Sequence, residues 1–143
     1  MNQERKSSIL IGTDVAIDFL RGKQYAKSLL EQLWEEDRAH ISILSVYELL
    51  AGMRDEEEKA TTDFVMACKI QNVDLSVAYK AGEFYRKYRK RGKTLTSIDC
   101  LIMATAACRN LKIATRNLKH YPEGNLLEVI RLKNPNSPKK KQT

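Results

Sequence analysis

Short β-branched runs alternate with longer amphipathic stretches along most of the chain, and this alternation predicts helices packed on a parallel sheet. Ile9–Ile11 reads as the first strand, and Asp14–Leu20 as a helix with Val15, Ile17, Phe19 and Leu20 turned inward. Arg21-Gly22 closes that helix with a glycine cap. Leu29, Leu30 and Leu33 recur at helical spacing in Tyr25–Trp34. Ala39–Leu44 is the next predicted strand, followed by a helix at Val46–Met53 and, after the acidic run Asp55–Glu58, a further helix reaching Cys68. Ile70–Leu75 reads as a strand, with Ser76 as N-cap of a helix over Val77–Arg89 that Arg91-Gly92 ends. Ile98–Cys108 is almost wholly apolar and small, a helix buried on most sides, and strands follow at Leu111–Thr115 and Leu127–Leu132. The expected architecture is α/β, a three-layer α/β/α sandwich around a parallel sheet of four or five strands.

The polar positions of interest fall where strands hand over to helices. Thr13-Asp14, Ser45-Val-Tyr-Glu48, Ser97-Ile-Asp99 and Thr115-Arg-Asn117 all follow apolar runs. Each acid has a structural explanation. Ser45 and Glu48 have the spacing of a capping box, and Asp99 in a first helical turn, capped by Thr96 or Ser97, favours the positive helix end. Parallel topology changes the weight of these residues, because it brings strand ends to one rim where carboxylates repel unless a cation lies between them. Hard oxygen ligands of that kind suit Mg²⁺ or Mn²⁺. Gly12 stands where the strongest ligand is expected.

Composition bounds the picture. With 143 residues and 43% hydrophobic content, a single domain with a real core is expected. The division expected is a disordered N-terminus over 1–7, a folded domain over 8–132, and a basic disordered tail over 133–143. Residues 131–143 hold five cations and no acid, so the net charge of +7 leaves only +2 for the remainder. The tail reads as a solubilising end or a weak attraction to nucleic acid. Cys68, Cys100 and Cys108 are wrongly spaced for a zinc knuckle or a disulfide framework and read as reduced thiols. No apolar run matches a signal peptide or membrane span, and the expected location is the cytoplasm, with no membrane partner.

Four ordered segments carry a resemblance: Ile11-Gly-Thr-Asp-Val-Ala-Ile-Asp-Phe-Leu20, Ser45-Val-Tyr-Glu-Leu-Leu-Ala-Gly52, Ile98-Asp-Cys-Leu-Ile-Met-Ala-Thr-Ala106 and Thr115-Arg-Asn-Leu-Lys-His-Tyr-Pro122. Over residues 8–132 the chain resembles a PIN-domain toxin of the VapC type, the ribonuclease of a toxin–antitoxin pair. The resemblance implies a metal-dependent endoribonuclease that cuts transfer or ribosomal RNA and leaves a 5′-phosphate and a 3′-hydroxyl. It assigns the essential acids to the positions of Gly12, Glu48 and Asp99, and a fourth position to Asn117. It also implies an antitoxin lying over the active-site groove, and a homodimer within a toxin–antitoxin assembly, with which the apolar residues of the first two predicted helices are compatible. Gly12 departs from the pattern. The favoured reading is an inactivating change, deliberate or selected, in a protein too toxic to express intact; natural degeneracy and replacement by Asp14 as ligand or outer-sphere support are the others.

Flanking residues carry lesser expectations. Thr13 caps the first helix or orients a ligand through its hydroxyl, and Thr115 and Arg116 are candidate substrate contacts, Arg116 with a surface ion pair as its alternative. His120 is expected to cap or stack rather than shuttle a proton, and Tyr25 and Trp34 to pack or meet a partner. A noncatalytic module binding RNA or antitoxin is the competing class. A flap nuclease is excluded because no segment is long enough for a DNA-gripping arch.

Overall fold

The computed structural model describes residues 6–128 and 130. At its centre β1 (Ile9–Ile11) pairs in parallel with β2 (Ala39–Ser42) on one side and β4 (Lys112–Ala114) on the other. β3 (Lys69–Gln71) extends the sheet beyond β2, and β5 (Leu127–Glu128) beyond β4, giving five parallel strands in the order β3-β2-β1-β4-β5. After β1 the chain builds outward through β2 and β3, then crosses to add β4 and β5. The direction of winding therefore reverses between β1 and β4. A crevice opens at such a reversal, outside the carboxyl ends of the strands.

Strand alternation divides the core into two layers. Ile9, Ile11 and Ile41 face α1 (Thr13–Leu20), α2 (Gln24–Glu35), α3 (Ile43–Gly52) and α4 (Glu58–Ala67). There Phe19 meets Trp34 edge-on, with ring centroids 5.3 Å apart, and lies 5.2 Å from Phe64. Leu10 and Ile113 face the opposite way, onto α5 (Leu75–Lys90) and α6 (Ser97–Arg109), against Phe84, Ile102 and Met103. This is the expected three-layer sandwich. Arg109 at the end of α6 reaches the Asn72 carbonyl and Asp74 at the start of α5, so the two helices run antiparallel. Gly92, with φ of +79°, makes the turn that leaves α5.

Several boundaries differ from expectation. α3 starts at Ile43 because Ser42 caps it, its Oγ accepting the Leu44 N–H at 3.0 Å; β2 therefore ends at Ser42 rather than Leu44, and Ser45 lies inside the helix. The capping box of Ser45 with Glu48 does not form. An apolar run such as Ile43-Leu44 has no periodicity of its own to separate strand from helix. Asp74 rather than Ser76 caps α5, accepting from the Val77 N–H at 3.1 Å, and β3 stops at Gln71. Thr13 is the first residue of α1 and makes no cap; Gly12 holds that position. Thr96 caps α6 as expected. Cys68 and Cys100 are buried and Cys108 is exposed, all free, and burial pushes the Cys68 thiol up to about 11. Residues 1–5, Val129 and 131–143, on which the N-terminal expectation, part of the last predicted strand and the basic tail fall, lie outside the described residues.

Candidate active site at the carboxyl rim of the sheet

The switch point gathers the predicted residues. Thr13 opens α1 beside the end of β1, and its hydroxyl donates to Glu48 Oε1 at 2.6 Å across to α3. The same hydroxyl oxygen lies 2.9 Å from Ser45 Oγ, whose hydrogen it can accept. A single hydroxyl thus joins two elements and fixes the direction of the Glu48 side chain. Thr13 makes no cap, and its hydroxyl turns to Glu48 instead.

Asp99 enters from the first turn of α6, its backbone N–H held by Thr96 Oγ1 at 3.0 Å. His120 Nδ1 stands 3.3 Å from Asp99 Oδ2. Burial pushes the Tyr121 hydroxyl well above its ordinary value, and the charges of Asp99, Asp14 and Glu48 add to the effect. One phenol therefore lies within electrostatic reach of three carboxylates from three elements. Periodicity gives no signal for Tyr121, which lies six residues beyond Thr115 in an irregular loop. Only its place after the polar group Thr115-Arg-Asn117 points to it.

Asp14 has a different setting. Its Oδ1 accepts from the Thr115 hydroxyl at 3.0 Å and its Oδ2 from the Arg116 N–H at 2.7 Å, tying the start of α1 to the end of β4. Thr115 in turn accepts the Asn117 N–H at 2.9 Å, while Asn117 itself is exposed. Arg116 lies 3.7 Å from Asp18 and over the Tyr25 ring at 5.3 Å, so its expected ion pair is present.

Gly12 sits under this brace. Its N–H donates to the Ala114 carbonyl at 2.8 Å. A Cβ at residue 12 would lie 2.7 Å from Asp14 Oδ1 and 2.9 Å from the Ala114 oxygen. The carboxylate tip can swing away; the backbone carbonyl of a paired strand yields less readily. Among the described residues, no three His, Cys, Asp or Glu side chains converge into a ligand cluster. With Gly12 contributing no donor and Asp14 tied off, the arrangement does not fit a three-carboxylate cage for Mg²⁺ or Mn²⁺.

A family model for the PIN domain matches residues 9–121. The chain is 33% identical over 114 residues to ribonuclease VapC10 of Mycobacterium tuberculosis, covering 80% of this chain and 86% of the relative. It is 35% identical to ribonuclease VapC19 of the same organism, covering 79% and 91%. A chain of a toxin–antitoxin complex from Klebsiella pneumoniae has a similar fold, with a TM-score of 0.72, 23% identity, and coverage of 87% and 98%. The chain belongs to the PIN-domain family, in its VapC branch.

Proposed function

We propose that this chain is the toxin of a toxin–antitoxin pair, an endoribonuclease whose hydrolytic capacity is curtailed at Gly12. The observation that carries the reading is that Glu48, held by Thr13 at the end of β1, and Asp99, in the first turn of α6, both lie within electrostatic reach of Tyr121 beside the crevice between β1 and β4. Thr13 aims Glu48, and His120 stands against Asp99. Held this way, the two carboxylates act on a phosphodiester that Arg116 and Asn117 approach from the β4 side, while Thr115 stays buried behind them. Mg²⁺ or Mn²⁺ is the metal that suits such oxygen donors; Glu48 and Asp99 are the residues that would hold it, and without a third carboxylate they would hold it weakly.

The partners follow from the same reading. Glu48 also borders a groove between α1, α3 and α4, with Ile17, Leu20, Arg21 and Met53 along it, which suits a segment of an antitoxin. On α1 and α2, Phe19, Leu29 and Trp34 pack on the core and are only partly buried, so they keep some surface for homodimer pairing. Further exposed apolar surface lies at Tyr47 and Leu50 on α3 and at Leu75 and Tyr79 on α5. The substrate is a structured RNA, transfer or ribosomal, met in the cytoplasm.

The missing three-carboxylate cluster favours a second reading, a noncatalytic PIN module that holds RNA or antitoxin. Incubating bulk transfer RNA with Mg²⁺ and either the unaltered chain or Gly12→Asp/Asp14→Ser separates the two. The toxin reading expects slow or no cleavage by the first and clear cleavage by the second. Binding without cleavage by both establishes the module instead.

A further inference from the structure

Residues 86–93 contain Arg86, Lys87, Arg89, Lys90, Arg91 and Lys93 and no acid. All six are exposed. They form the last turn of α5 and the turn after it, and residues 91–96 lead straight into α6, whose first turn carries Asp99. Antiparallel packing of the two helices puts this cationic end at the rim. Tyr88 fixes the placement, donating to Glu123 at 2.5 Å and to the Pro122 carbonyl at 3.3 Å, in the loop that directly follows His120 and Tyr121.

Helix stability does not account for the cluster. Cations in a last turn do complement the helix dipole, but six in close succession repel one another. Among the described residues only Lys87 of the six has an ion-pair partner, Glu123 at 2.6 Å. That pair and the Tyr88 hydrogen bond pin the end of α5 to the loop after Tyr121. Arg89 lies over the Tyr85 ring and Arg91 over the Tyr88 ring, each 5.4 Å from the centroid. Stacking orders a guanidinium while leaving its N–H fork free for an anion. The acidic run Asp55–Glu58 lies in the opposite layer, so the cationic end draws a polyanion to this side of the rim.

We propose that the end of α5 is a docking site for the phosphate backbone of RNA, in which Arg89, Lys90 and Lys93 hold phosphates flanking the one presented to Glu48 and Asp99. The inference rests on the ribonuclease reading of the rim and adds the contacts that position the strand there. Such contacts set register and affinity without reading sequence.

Anisotropy titrations of labelled bulk transfer RNA in EDTA, repeated across salt concentrations, test the site without cleavage. Arg89→Gln/Lys90→Gln/Lys93→Gln is compared with Lys6→Gln/Lys59→Gln/Lys69→Gln, an equal charge change at the far end of the sheet and on α4; thermal melts verify that both remain folded. At about 100 mM salt the first variant is expected to bind roughly tenfold more weakly, with a salt slope shallower by about 2, at about 0.7 for each phosphate no longer neutralised. The second is expected to follow the unaltered chain. Equal affinity and slope for the first variant overturn the docking site and leave the ribonuclease reading standing. Equal RNA affinity with loss of binding to a poly-glutamate peptide also overturns it, assigning the surface to an acidic protein partner. Absence of RNA binding by the unaltered chain overturns both the site and the ribonuclease reading.

Discussion

Asp14 and Glu48 reach the same rim from α1 and α3, yet they are held in opposite ways. Both oxygens of Asp14 accept hydrogen bonds from the β4 end, one from a hydroxyl and one from a backbone N–H. Glu48 is met at a single oxygen, by the Thr13 hydroxyl, and its other oxygen has no hydrogen-bond partner among the described residues. An acid whose oxygens are both taken up by a neighbouring strand end serves as a brace; one aimed and half used is available for chemistry. Gly12 makes the brace possible, since the space a side chain would need there is where Asp14 lies.

The largest effect that would break this contrast comes from Gly12→Asp. Its Cβ needs both Asp14 and the Ala114 carbonyl to shift, a cost of about 1–3 kcal/mol expected in denaturant unfolding. Adding Asp14→Ser should recover part of it, because the shorter side chain clears the nearer contact. Asp14→Ala should cost slightly less, about 1–2 kcal/mol, by leaving the Thr115 hydroxyl and Arg116 N–H without their acceptor, read by the same unfolding curves. Thr13→Val should cost about 1 kcal/mol and free Glu48 to turn. In the Gly12→Asp/Asp14→Ser background it should lower cleavage by more than that stability loss explains.

The smallest effect is one of pH. Tyr121 is raised in the folded chain, so its contribution to stability is complete below the unfolded phenol's value of about 10 and is lost as pH rises past it. Tyr121→Phe should therefore flatten the fall in melting temperature between about pH 9.5 and 11, with little change near neutrality.

Much of this was legible in the chain. The β1 and α6 segments were plain because Ile9–Ile11 is short, apolar and bounded, and because Ile98–Cys108 is too long and too rich in alanine for a strand. α3 was harder to read. Ser42 and Ser45 both have the chemistry of a cap, and only the pairing of β2 with β3 through Ser42 and Gln71 decides where the strand ends. Glu48 consequently looked like a partner in a capping box when its hydroxyl partner is 35 residues away, at Thr13. The grouping of polar residues at strand ends was readable from alternation alone, whereas Tyr121 and the cationic end of α5 gained their meaning only from helix direction and loop path.

Whether Glu48 and Asp99 act as a unit is tested most directly by a double-mutant cycle on Mn²⁺ affinity. Electron paramagnetic resonance titration would follow Glu48→Gln, Asp99→Asn and the pair together in the Gly12→Asp/Asp14→Ser chain. One shared rim requires strongly non-additive losses, the second substitution removing little once the first is made. Additive losses, or Mn²⁺ binding untouched by either change, would mean the two carboxylates serve separate places and would contradict the site described above.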